Sequence, residues 1–225
     1  MAWNVDQIYS CLKYLIHKNQ AGGISAPNFF YAWNLEQYAY HEDLVGKWEG
    51  RSSGKSGVNT GLIQDEVVMT KLLPFTIPIT IPISAGMGTK PSDIIYTLAL
   101  RINDVKVFQV DHDQIWAVKD DVIDPPSIAD DSYYYTEYLD YYSFLPNTVT
   151  SFDLDYVASC TDISWGFILD GNGRQVYDPG TSVQPKWNQN TIVDITKRCL
   201  TSLGVHFKDQ DFVEFGKSNT VTGDS

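Results

Sequence analysis

In 76-TIPITIPIS-84 the apolar residues Ile77, Ile79, Ile81 and Ile83 fall on every second position. This is the repeat of an extended strand, whose side chains point alternately to opposite faces. Pro78 and Pro82 have no N–H for a ladder, so the strand belongs at a sheet edge or in an extended arm. On its N-terminal side the period differs. Asn4 with Gln7 has the pattern of a capping box, and Val5, Ile8, Leu12, Leu15 and Ile16 follow at three- and four-residue spacing, predicting an amphipathic helix over 5–19. Gly22-Gly23 ends it. Ser25 caps a second helix with Pro27 in its first turn and Phe29, Phe30, Trp33, Tyr40 and Leu44 on a broad aromatic face, so that two short helices form an antiparallel hairpin. Leu62, Ile63, Val67, Thr70 and Leu73 predict a third helix that stops before Pro74.

On the C-terminal side, strands are predicted over 94–102, 105–110, 114–118, 141–145, 149–157 and 163–169, with Phe152, Leu154 and Tyr156 on one face. The turn 170-DGNG-173 joins the last of these to 174–177. A helix over 191–203 carries Ile192, Ile195, Cys199 and Leu203 on one face, with Lys197 and Arg198 toward its C-terminus and Gly204 ending it. The segment 216-GKSNTVTGDS-225 reads as a frayed tail. Helices, then strands, then one helix describe an α+β chain. The N-terminal helical hairpin and the C-terminal helix are expected to pack together around an inserted antiparallel β module. The divisions are 1–75 for the helical region, 76–180 for the β-rich module with an acidic, tyrosine-rich insert, and 181–225 for the last helix and tail.

The chain has 225 residues, 43% of them hydrophobic, enough for one elaborated domain or two small ones. It has no apolar run of about 20 residues, and no basic segment precedes an apolar one at Met1-Ala2-Trp3-Asn4, so a soluble protein without export or membrane anchoring is expected. Cys11, Cys160 and Cys199 have neither metal-site nor disulfide spacing and are expected to be buried thiols in a reducing cytoplasm. The net charge is −12. From Asp111 to Asp155 eleven carboxylates stand against the single base Lys119, leaving ten net negative charges. Such a surface repels a phosphate backbone, because DNA binding depends on Lys and Arg replacing counterions. It reads as a solvated face, as a face for a basic partner, or as a wall past which DNA slides.

Catalytic patterns fail on spacing. In 50-GRSSGKS-56 only three residues separate Gly50 from Gly54, and Glu49 stands where a phosphate-binding loop needs glycine. The run 170-DGNGR-174 opens like a calcium loop, but Gln175 replaces the glycine required at the sixth position. His17, His41, His112 and His206 stand in separate elements with no ligand spacing, and no serine sits in a nucleophile elbow. A carboxylate pair for glycoside hydrolysis could be drawn freely from the acidic run, and free choice is no evidence. No enzyme, cofactor or metal site is therefore expected.

Two stretches carry a resemblance. The opening 5-VDQIYSCLKYLIHKNQAGGISAPNFFYAWNLEQ-37 and the ending 165-WGFILDGNGRQVYDPGTSVQPKWNQNTIVDITKRCLTSLGV-205 are similar to structural proteins of crAss-like and related bacteriophages of Bacteroidetes, with a looser likeness at 141-YYSFLP-146 and 152-FDLDYVA-158. The resemblance implies a virion protein made in the host cytoplasm, a ring subunit of the head-to-tail connector or short tail. About twelve copies would surround the DNA channel, in contact with portal or neighbouring tail rings, with viral DNA passing through without specific binding. The insert at 111–142 matches this pattern least.

The residues agree with assembly. The chain has 14 Tyr, 10 Phe and 6 Trp, and Tyr133, Tyr134, Tyr135, Tyr138, Tyr141 and Tyr142 crowd among carboxylates. Tyrosine offers contact area with a polar tip and is enriched where proteins meet, so Asp120, Asp121, Asp130, Asp131, Tyr133, Tyr134, Tyr135 and Tyr138 form the candidate interface. The plainer alternative places these rings in the β-module core. Rival functions are a carbohydrate-binding module of a phage tail, since sugars stack on aromatic faces, and a phage-encoded hydrolase or cargo protein. Segments 74–91 and 216–225 are candidate arms ordered by neighbouring subunits.

Overall fold

The computed structural model describes residues 3–18, 24–52, 61–120 and 125–204. Asp121, His206, residues 53–57 of the Gly/Ser-rich loop and the tail 216–225 lie outside them. The helices are α1 (Val5–Lys18), α2 (Ala26–Ser52), α3 (Gly61–Leu72), α4 (Ile115–Lys119) and α5 (Gln189–Ser202). The strands are β1 (Thr76–Pro82), β2 (Met87–Thr89), β3 (Ile94–Ile102), β4 (Val105–Lys106), β5 (Phe108–Gln109), β6 (Tyr134–Glu137), β7 (Tyr141–Leu145), β8 (Ser151–Ala158), β9 (Phe167–Leu169) and β10 (Gln175–Tyr177). The fold is α+β, and the chain divides into two compact units: Met1–Pro74 with Cys160–Ser225, and Phe75–Ser159.

The first unit is helical. Asn4 and Gln7 exchange bonds as a capping box does: the Gln7 N–H donates to Asn4 Oδ1 at 2.8 Å and the Asn4 N–H to Gln7 Oε1 at 3.0 Å. Val5, Ile8, Leu12 and Leu15 are buried, as the spacing predicts. α2 is not short but runs 27 residues, on the order of 40 Å. No proline interrupts its second half, and nothing lies within 4 Å of where a Gly46 Cβ would sit, so that glycine costs propensity without reshaping the backbone. Asn188 caps α5, accepting from the Thr191 N–H at 2.9 Å. α5 packs on α2 and buries Ile192, Ile195, Cys199 and Leu200, so the expected packing against the N-terminal hairpin is seen on its α2 side. Two polar side chains of α2 fix the chain that leads toward it. Asn34 exchanges bonds with the Ile163 backbone at 3.0 and 3.1 Å, and Gln37 donates to the Thr161 carbonyl at 3.1 Å while accepting from the Trp187 indole at 3.2 Å.

The second unit is two four-stranded sheets, β1-β8-β3-β4 and β2-β7-β6-β5, the second mixed because β5 and β6 run parallel. β1 pairs with β8 along its whole length, Thr76 opposite Val157 to Pro82 opposite Ser151, and is an edge strand. This part of 74–91 is thus built into its own sheet rather than held as an arm. β3 turns into β4 through Asn103 and Asp104, both at positive φ, as a two-residue hairpin of twisted strands needs. The predicted strand 105–110 breaks at buried Val107 and changes sheets there, its two halves pairing with β3 and β6. The two sheets share one core, in which Phe144 of β7 and Phe152 of β8 lie 4.7 Å apart.

Residues 114–118 are not a strand. Ile115 and Val118 are half-buried three positions apart while Trp116 and Ala117 are exposed, a helical period too short to recognise in so brief a run. β2 and β6 were not predicted. The hairpin β9–β10, assigned by sequence to a β-rich module ending at 180, falls within the helical unit instead.

Candidate functional site

The acidic, tyrosine-rich segment separates into a core part and a surface part. Tyr133 is 0% exposed, and Tyr135 and Tyr142 are buried with it in the core between the sheets. Tyr135 lies in β6 and Tyr133 just before it, and both turn inward, as does Thr136, so Tyr133 and Tyr135 do not form an exposed interface. Each hydroxyl still finds an acceptor, Asp131 Oδ1 at 3.4 Å for Tyr133 and Gln109 Oε1 at 3.4 Å for Tyr135. Burial, with the Glu137 charge nearby, pushes the Tyr135 hydroxyl up to about 12, and burial does the same for Tyr142. Tyr134 is half-buried beside Phe108. Tyr138 stacks on Tyr141 at 4.5 Å and 10°, with His112 edge-on at 4.4 Å.

The carboxylates divide in the same way. Glu137 pairs with Lys90 at 2.6 Å, Asp153 accepts from Thr80 at 2.6 Å, and Asp155 pairs with Arg101, so three charges at the C-terminal end of the segment find partners on the sheets. Asp111, Asp113, Asp120, Asp130, Asp131 and Asp140 are exposed. Large apolar side chains are exposed among them, Trp116 at 65% and Leu139 at 89%, together with Ile128. Lys119, the only base of the segment, lies with its ammonium 4.9 Å from the centre of the Trp116 ring. Asp120, Asp130, Asp131 and Tyr138 thus remain in the candidate surface. Trp116, Ile128 and Leu139 are exposed in the same stretch of sequence; Trp116 was hidden by the strand predicted over 114–118, and Ile128 and Leu139 lie where no element was predicted.

The helical unit holds a cleft of opposite charge. Residues of α2, α3 and α5 line a space of about 630 Å³ with Leu44, Val67 and Val68 as apolar lining and Lys47, Lys71, Lys197 and Arg198 as cations against Asp43 and Asp194. Lys71 donates to the Tyr40 hydroxyl at 2.5 Å and lies 3.6 Å from Asp194. Burial opposes its charge, but these two partners prevail and hold its pKa above the usual lysine value. The Arg198 guanidinium sits 4.8 Å over the Tyr40 ring and 3.5 Å from Asp43, which also meets Lys47 at 3.6 Å. Sequence reasoning placed Lys197 and Arg198 at a helix C-terminus but had no means of bringing Lys47 and Lys71 beside them.

The three thiols and His41 are withdrawn from solvent. Cys11, Cys160 and Cys199 are buried, and burial pushes each thiol up to about 12. Burial lowers His41 to about 4 beside the Trp187 ring. Trp165 donates to Asp6 at 2.9 Å, packs 5.2 Å from Tyr9 and stacks on Phe167, which ties the start of the β9–β10 hairpin to α1. Among the described residues no three His, Cys, Asp or Glu side chains gather as a metal ion requires, and no helix is long and apolar enough to cross a membrane. No protein-family model matches the chain, and no curated protein matches it.

Proposed function

We propose that the chain is a structural subunit of a bacteriophage particle, assembling with copies of itself into a ring of the head-to-tail connector or short tail. The reading rests chiefly on the exposure of six carboxylates interspersed with Trp116, Ile128 and Leu139. A surface that serves only solubility has no use for an indole and a leucine left in water, whereas a protein contact buries the apolar groups and sets its register with the charges. The same apolar residues argue against a non-stick channel wall for this segment. On this reading the viral DNA passes through the ring without specific binding. The likeness of 5–37 and 165–205 to phage structural proteins supports the same reading.

Substituting Asp120, Asp130 and Asp131 by Asn and following assembly by sedimentation velocity against ionic strength tests it. Weaker association with a shallower salt dependence is expected. Unchanged assembly together with impaired genome delivery would move the segment to the channel.

A further inference from the structure

We infer that the cationic cleft between α2, α3 and α5 is the receptor for the acidic segment of a neighbouring copy. This rests on the assembly reading and names the partner of the same surface. In a chain of net charge −12, four of the 16 Lys and Arg residues line this one cleft, and they outnumber its two carboxylates. Lys47, Lys71 and Arg198 are held in place by Tyr40, Asp43 and Asp194, so little of their side-chain freedom is lost when an anionic partner arrives. The lining is half apolar, with Leu44, Val67 and Val68 between the charges. The acidic segment is built the same way with the opposite sign, Trp116, Ile128 and Leu139 standing between carboxylates. A small anion would meet the cations but leave the apolar lining wet; a segment carrying both kinds of side chain covers both.

Cleft and segment belong to different units of the chain. A contact between them is heterologous, one surface of a copy on a different surface of the next. Such contacts close into rings when the rotation permits.

A charge exchange tests the pairing on the full chain. One variant carries Lys47→Glu and Lys197→Glu, the other Asp120→Lys and Asp130→Lys. Each alone opposes like charges and is expected to weaken assembly by about tenfold or more in apparent dissociation constant. An equimolar mixture places a reversed cleft against a reversed segment and a native cleft against a native one, and is expected to recover assembly. Zero-length carbodiimide cross-linking of mixed ¹⁴N and ¹⁵N wild-type copies reads the contact without substitutions, and should join Lys47, Lys71 or Lys197 of one copy to carboxylates of 111–140 in another. A cleft variant that assembles as wild type, or a mixture that stays dissociated with cross-links elsewhere or only within one copy, overturns the cleft as receptor and leaves the assembly reading standing. Wild-type protein that stays monomeric overturns both.

Discussion

The indole N–H of Trp33 on α2 donates to the hydroxyl of Thr196 on α5 at 3.1 Å, across 163 residues of sequence and out of reach of water. The same hydroxyl donates to the Ile192 carbonyl at 2.7 Å, so a single oxygen serves as acceptor and donor at once. Thr196→Val keeps the shape and strands the indole, and should destabilise the protein by about 1–3 kcal/mol. Thr196→Ser retains the bond, loses only a methyl, and should cost about 1 kcal/mol. Urea unfolding of both variants checks the order; a Thr196→Val variant as stable as wild type beside a weakened Thr196→Ser would show that volume, not the bond, matters at this site.

Gly88 on β2 lies directly under the Phe152 ring, where a Cβ would overlap the ring edge and also press on Phe144. Gly88→Ala should therefore cost about 1–3 kcal/mol by overpacking. Gly171→Ala, in the open turn of the β9–β10 hairpin, has nothing within 4 Å and should change the melting temperature little. Comparable melting temperatures for the two variants would contradict the packing described for the sheets.

His41 makes stability depend on pH. Its folded value of about 4 lies below the ordinary 6.5, so between these values the unfolded chain takes up a proton that the folded chain refuses. The stabilisation is complete above pH 6.5 and is lost as pH falls toward 4, which amounts to about 2 kcal/mol between pH 7 and pH 5. His41→Phe keeps an aromatic ring beside Trp187 and should flatten that slope in unfolding curves measured at each pH. An unchanged slope would assign it to other groups.

The three thiols should react together or not at all. With each held up to about 12 by burial, dithiobis(nitrobenzoate) at pH 8 should label Cys11, Cys160 and Cys199 only at the rate at which the protein unfolds, and all three at once in denaturant. A single thiol reacting within seconds in native protein would show a local opening.

Much of the fold was legible where a period ran long enough. α1 and its capping box, the edge strand with Pro78 and Pro82, β8 with Phe152, Leu154 and Tyr156 inward, and the buried stripe of α5 all follow from spacing. Short or mixed runs misled. Residues 114–118 are apolar without enough length to show a helical period, and β6 reads Tyr-Tyr-Thr-Glu, a strand hidden inside what looked like an interface. The candidate surface was half legible: the carboxylates were visible as charge, but which tyrosines turn inward depends on β6 pairing with β5 and β7. The cleft was invisible because its cations come from three helices distant in sequence.

Electron-microscope class averages of the purified chain at micromolar concentration and low salt test assembly most directly. The prediction is closed rings of about twelve copies around a central opening, dissociating as salt is raised. Monomers at every concentration and ionic strength would contradict it.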